Sequence, residues 1–289
     1  MNAHTDLIRR KVIIDFDDDI PKHWFDGDAF MTRYFDAFSL AFPELERFMI
    51  EVVREISKGL PKDSPVRQEA KDFSFQEAQH SIVHDKYNEQ IHKQGVAAPK
   101  MHRFLSWSIK WMNKHLSLKS RIAVGSGIEH FTSLMAEHFI ASGLFDSAHP
   151  KMRALWEWHS LEELEHKHVL FDVYKNSGGG YLRRSIIFVG GVFYANYLAI
   201  NYAKELMESE GIKTGRFFFF KALKRLFNKK DGVLKSLRRP TFEYFKPSFH
   251  PNHIESPAVM TEWAKAYEDS NDALAASLYI NNVYKKVVA

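Results

Sequence analysis

Two segments of this chain set ionisable side chains along one helical stripe. In the first, Phe73, Glu77, His80 and His84 follow at i, i+4, i+7 and i+11. At 100° per residue they fall within about 60° of one another. The second places His159, Glu163, His166 and Leu170 at the same spacing. Each stripe holds a Glu-x-x-His pair, which lets a carboxylate and an imidazole reach one metal ion from one face. A single such pair means little, and the chain has four: Glu77–His80, Glu89–His92, Glu163–His166 and Glu165–His168. Glu89 lies about 120° around the helix from Glu77, and Glu165 about 160° from Glu163, so those two pairs read as surface pairs.

Helical bundles that hold two metal ions combine two Glu-x-x-His motifs with one Glu from each of two further helices. Glu46 and Glu129 supply those carboxylates. Glu46 follows Pro43 among Phe42, Met49, Ile50 and Val53. Glu129 lies among small uncharged residues that leave it room, Gly125, Ser126, Ser133 and Ala136. The chain order is then Glu46, Glu77 with His80, Glu129, Glu163 with His166. Six such groups in a core without a cation would cost several kcal/mol each. His159, one turn before Glu163, is a candidate seventh ligand; the alternative is a supporting histidine. His84 reads as a supporting or substrate-contacting group. Glu44 competes with Glu46, and Glu162 with Glu163, but Glu162 lies off the histidine stripe. His130 faces 100° away from Glu129 and reads as structural. Met49, Phe73, Thr132 and Met135 are either pocket walls or core packing.

The composition narrows the chemistry. The 289 residues include no Cys and 15 His. Thiolate metal sites, disulfides and cysteine nucleophiles are excluded, so a metal must be held by imidazole and carboxylate. A set with this many carboxylates suits iron or manganese, and zinc also accepts it. The first residues carry charge throughout and no apolar core of a signal peptide, which gives a cytoplasmic expectation.

The elements that must position these groups read as helices throughout, with 12–14 as a short extended piece. A helix pair is expected over 28–60, broken near Phe42 because Pro43 suits a first helical turn. Ser64 and Pro65 start a helix that runs to about Gln94. A third helical region follows Pro99 and runs to Ala141, with a break around 117–120, and Gly143 closes it. A fourth starts after Pro150 and stops at the glycine run 178–180. Beyond it, 185–203 is free of charge and nears the length of a membrane span, but its Asn and Tyr content favours a buried or interfacial helix. The residues 240–257 read as an ordered loop and 258–284 as a last helix. This gives two units: a bundle over 1–180 and a helical extension over 181–289 packed on it. Residues 181–240 hold 13 Lys+Arg and 4 Asp+Glu, a net +9, leaving −5 for the rest.

Several segments resemble a bacterial family described as predicted metal-dependent hydrolases. They are Phe42-Pro43-Glu44-Leu45-Glu46-Arg47-Phe48, Gln76-Glu77-Ala78-Gln79-His80, Glu129-His130-Phe131-Thr132 and Trp158-His159-Ser160-Leu161-Glu162-Glu163-Leu164-Glu165-His166-Lys167. Phe171-Asp172-Val173-Tyr174, Arg239-Pro240 and Phe249-His250-Pro251 extend the likeness along nearly the whole chain. The family motif often has Gly before its first Glu, where this chain has Leu45. The run His159-x-x-x-Glu163-x-x-His166 also resembles, remotely, the di-iron enzymes related to p-aminobenzoate N-oxygenase. There the extra histidine binds iron, which implies a ligand role for His159.

The expected fold is all-α, a ferritin-like four-helix bundle with a di-metal core and extra C-terminal helices. The expected cofactor is two iron ions, with manganese or zinc as alternatives. The ligands, and with them the catalytic residues, are Glu46, Glu77, His80, Glu129, His159, Glu163 and His166. The first functional reading is an O2-activating oxidoreductase acting on an organic, apolar or acyl substrate, served by an electron donor of unidentified type. A two-metal hydrolase and a ferritin-like iron-binding protein are the alternatives. A homodimer is a further expectation. Peripheral membrane contact is expected through 185–239, where four consecutive Phe at 217–220 lie among basic residues. The opposing reading packs those rings inside. Nucleic-acid binding is not expected, since no recognised motif accompanies the basic segment.

Overall fold

The computed structural model describes residues 7–16, 20–228, 232–235 and 237–284. No strand occurs among the described residues, and the all-α expectation holds. Four long helices carry the candidate ligands or their neighbours: α1 (Ala29–Ser57), α2 (Pro65–Lys93), α4 (Leu118–Ser142) and α5 (Pro150–His166). A shorter α3 (Pro99–His115) connects α2 to α4, and α6 (Val169–Asn176) follows α5. α7 (Tyr181–Ser209) packs along α1 and α4, and α3 lies against it. The chain continues through α8 (Phe218–Leu226), α9 (Arg238–Glu243), a 3-10 turn at Pro251–His253, α10 (Ala258–Ser270) and α11 (Ala273–Tyr279). This arrangement is consistent with a ferritin-like bundle.

The helix starts follow from their residues. Asp28 caps α1 by accepting a hydrogen bond from the Met31 amide at 3.1 Å. Pro65, Pro99 and Pro150 occupy first turns, where the missing N–H removes nothing. Gly143 ends α4 with φ +62°, a conformation that glycine adopts without penalty.

Four expectations about the helices and their connections need correction. α1 does not break at Pro43. A proline inside a helix deprives the carbonyl four residues earlier of its donor. Here that carbonyl, Ser39, accepts instead from the Asn88 side-chain amide of α2 at 2.9 Å. The neighbouring helix thus repairs the gap, and α1 runs on for 29 residues. The fourth helix does break, at Lys167 and His168. Lys167 donates to the Ile254 carbonyl at 2.5 Å and to Ser256 at 3.3 Å, and the His168 ring lies 3.8 Å from Glu69. His168 is therefore buried, not the surface residue its Glu-x-x-His spacing suggested, whereas Glu89 and His92 are exposed as expected. The last helix is interrupted at Asn271, with φ +51°, and Asp272 caps α11. The expected loop after Pro240 is helical to Glu243.

Residues 7–16 are extended and pair with no strand. Arg10, Val12, Ile14 and Phe16 point inward and alternate with exposed neighbours. This strap crosses the outside of the bundle near α2 and α5.

Candidate metal centre

The helices bring all seven candidate ligands into the bundle interior, and every one is buried. His166 lies between two carboxylates: Nε2 is 3.1 Å from Glu77 Oε1, and Nδ1 is 2.8 Å from Glu129 Oε2. His80 Nδ1 lies 3.9 Å from Glu77 Oε1 and 4.0 Å from Glu163 Oε1. His159 Nε2 lies 3.2 Å from Glu163 Oε1. Among the seven candidate ligands, two groups each bring one donor atom per residue within 4.8 Å of one another: Glu77, His80, Glu163 and His166 form one, and Glu46, His80 and His159 the other. His80 belongs to both. Glu129 belongs to neither and reaches the first group through its contact with His166.

These residues fit a pair of metal ions on chemical grounds. Both Glu77 oxygens, one oxygen each of Glu46 and Glu129, both His80 nitrogens and His166 Nε2 are buried without a hydrogen-bond partner. Orphaned polar atoms in a dry core are costly. Two ligand atoms about 2.1 Å from one ion at right angles lie about 3 Å apart, close to several of the separations above. The four carboxylates carry a formal charge of −4, which two divalent cations balance.

Electrostatics point the same way. Burial, and then the neighbouring carboxylates, push Glu46 and Glu77 well above the usual carboxylate range, although Ser81 donates to Glu46 at 2.7 Å and works against this. Glu129 rises to about 7 through burial and Glu163. Burial, and then neighbouring imidazoles, hold His80 and His84 well below the usual histidine range. Burial opposes a charge on His166 as well, but Glu129, Glu163 and Glu162 outweigh it and raise that ring to about 9. Glu46, Glu77 and Glu129 thus protonate more readily than free acids, chiefly because they are buried. Burial opposes a charge on Glu163 too, but His159, His166 and Thr132 outweigh it and hold that carboxyl below the usual range.

A chain of hydrogen bonds fixes which nitrogen of His159 is free. Asn88 gives its amide N–H to the Ser39 carbonyl, so its oxygen accepts from the Ser39 hydroxyl at 2.8 Å. That hydroxyl has spent its proton and accepts from His84 Nδ1 at 2.8 Å. Neutral His84 then offers its Nε2 lone pair, which accepts from His159 Nδ1 at 3.0 Å. On a neutral His159 the free lone pair is then on Nε2, which faces Glu163 Oε1 at 3.2 Å. His84 therefore supports His159 and stands outside both donor groups.

Two further supports escaped sequence reasoning. Glu162 faces His80 Nε2 at 3.1 Å from behind, and Arg10 holds Glu162 at 3.4 Å. Arg10 also forks onto Glu165 with two bonds of 2.8 Å, and Gln76 donates to Glu165 at 2.9 Å. Glu162 thus sits behind His80 and belongs to neither donor group. The alternation of residues 10–16 was the available signal for Arg10, but nothing local names its partner. Ser39 and Asn88 left no signal on their own helices.

The remaining candidates divide cleanly. Glu44 accepts from Ser106 at 2.7 Å on the outer side of α1, leaving Glu46 as the inward carboxylate. His130 stacks on Tyr244 with ring centres 4.6 Å apart and is structural. Phe73 packs edge-on against His166 at 5.0 Å, and Met49 is core. Thr132 donates to Glu163. Thr132 and Met135 wall a small cavity of about 20 Å³ that touches His159 and Glu163. Phe38, Phe42 and Thr132 separate it from a larger apolar cavity of about 340 Å³ between α1, α3, α4 and α7.

A family model described as predicted metal-dependent hydrolase matches residues 8–255. The chain belongs to that family. The matched span takes in every candidate ligand of this family member, together with Arg10 at one end and the 3-10 turn at the other. No curated protein and no solved structure matches the chain.

Proposed function

We propose that this protein is a metal-dependent enzyme with a dinuclear centre, held by Glu46, Glu77, His80, Glu129, His159, Glu163 and His166. The reaction we infer is oxidation of an apolar organic substrate by O2 at two iron ions. One observation carries it: a carboxylate-rich donor set lies in a dry helical interior, and the adjoining cavity is walled almost wholly by hydrocarbon. Such a cavity suits a substrate that offers C–H bonds. Among the residues lining it, Thr132, Tyr194 and Trp111 alone have polar side-chain atoms.

Two bound iron ions would supply electrons to O2 and direct the oxidising equivalent at the substrate. The residues do the rest. Phe42 stacks on His159 at 4.6 Å and Trp158 lies edge-on to His80 at 5.0 Å, which excludes water from the imidazoles. Thr132 holds the outer oxygen of Glu163 and so fixes the direction of the inner one. The Asn88–Ser39–His84 chain keeps the proton of His159 at Nδ1.

The family description favours a second reading, two-metal hydrolysis, in which bound metals activate a water. Metal identity separates the two. Elemental analysis of the purified protein should find two iron ions per chain, and an absorption band should develop when O2 is added to the Fe(II) form. His80→Ala and His166→Ala should lose most of the metal and stay helical by circular dichroism. Two zinc ions per chain, with esterase or phosphatase activity and no response to O2, would establish hydrolysis instead. Full metal retention in both His variants would refute the ligand set.

A further inference from the structure

α7 is long and apolar enough to cross a membrane, but one of its faces is buried against α1 and α4. Its other face is not covered by any described residue. Leu182, Ile186, Val189, Phe193 and Tyr197 form one stripe on that side, at i, i+4, i+7, i+11 and i+15. Leu182 and Ile186 are each 71% exposed and Phe193 is 75% exposed. Isolated apolar residues on a surface need no account, whereas a continuous stripe does.

The stripe continues onto neighbouring helices through ring contacts. Tyr197 meets Phe104 of α3 at 5.8 Å, and Phe104 meets Trp107 at 5.8 Å. On the other side Tyr197 meets Phe219 of α8 at 6.4 Å, and Phe219 meets Phe220 at 5.8 Å. The four consecutive Phe residues divide: Phe218 and Phe219 pack on the core, while Phe217 and Phe220 are exposed.

The rim of this face is basic. Residues 99–119 hold four Lys and one Arg with no acidic residue. On α3, exposed Arg103, Lys110 and Lys114 alternate with exposed Trp107 and Trp111. Exposed Lys221 and Lys224 flank the rings on α8. Aromatic and basic residues together suit the headgroup level of an anionic bilayer, where apolar burial and charge attraction add.

The large cavity lies directly behind this face. Gly190 and Gly191 of α7 line it and are themselves exposed, and a side chain added at either would meet no atom within 4 Å. Trp111 also lines it and is half exposed. The volume of about 340 Å³ lies at the lower end of the roughly 300–1,000 Å³ of ligand pockets.

We propose that the α3–α7–α8 face docks on an anionic lipid surface, and that an apolar chain passes from it past Gly190 and Gly191 into the cavity beside the metal centre. The docking stands on the surface alone. The destination of the chain rests on the function proposed above. Charge complementarity favours lipid over a second copy of the chain, because two such basic rims would repel each other.

Flotation of the full chain with vesicles tests the docking. Vesicles of phosphatidylglycerol and phosphatidylcholine in equal parts should carry the protein at low salt, and pure phosphatidylcholine vesicles should carry at least tenfold less. Ile186→Glu with Phe193→Glu should lose at least tenfold of the anionic binding and keep the helical circular dichroism. Metal-depleted protein should float as well as loaded protein, so a failure of the metal reading leaves this result intact. No flotation on anionic vesicles at low salt overturns the docking. So does a dimer in analytical ultracentrifugation that the double variant dissociates. For the cavity, binding of a pyrene-labelled fatty acid should fall at least tenfold in Gly190→Phe while vesicle binding is unchanged. Unaltered probe binding in that variant overturns the entry route.

Discussion

A histidine binds a metal only through a nitrogen that carries no proton, and at His159 that choice is made two helices away. Pro43 removes a donor from α1, Asn88 replaces it, and the resulting orientation of the Asn88 amide passes through Ser39 and His84 to His159. Behind His80, Glu162 and Arg10 form a separate support. Groups that orient metal ligands typically change affinity by about 10–100-fold when removed. Glu162→Gln and Asn88→Ala should each weaken metal binding by roughly that factor, whereas Glu163→Gln should abolish binding of at least one ion. Metal titration by calorimetry on the three variants checks the ranking. Equal loss in Glu162→Gln and Glu163→Gln would contradict the assignment of Glu163 to the ligand stripe.

At the scale of elements, close helix packing sets the ligand positions. A side-chain carbon added at Gly125 of α4 would lie 2.8 Å from Leu170 of α6 and 3.6 Å from Met49 of α1. The space beside Glu129 that the small residues suggested is filled by these two side chains, not open. Gly125→Val should therefore destabilise the protein by about 1–3 kcal/mol, read as a lower midpoint in urea unfolding. A midpoint within error of the parent would show that α4 and α6 separate without cost. What sequence reasoning could recover follows from the same geometry. Glu77, His80, Glu163 and His166 were readable because each pair shares one helix, where the 3.6-residue period fixes the face. Pro43 misled because the donor that rescues its helix sits on α2, 45 residues later. The break at Lys167 was equally hidden, since its ammonium is held by a loop carbonyl at Ile254. Periodicity reports what a helix does alone, and these positions answer to a neighbour.

Across the whole molecule, the centre poses a charge problem that a bound ion would solve. Without metal, four carboxylates remain together in a dry interior with only the neighbouring histidines and hydroxyls to offset them. An ion at a hundred times its Kd adds about 2.7 kcal/mol of stability. For a chain of 289 residues each such ion corresponds to a rise in Tm of about 4–5 °C, and two ions to about 9 °C. Dialysis against a chelator should lower Tm by that amount in a thermal melt, and restoring the metal should recover it. A Tm that does not move would mean that the carboxylates are neutralised by protons and that the ion is not a structural element.

The extended strap has a consequence in time. Arg10 and Glu162 lie 152 residues apart in sequence. At the usual pace of synthesis, about 5–20 residues per second, Glu162 is made roughly 8 to 30 s after Arg10. The segment that carries Arg10 must wait for α5 before its guanidinium reaches Glu162. Glu162 and Arg10 close the back of His80 together, so that wall is completed only when two segments made many seconds apart meet.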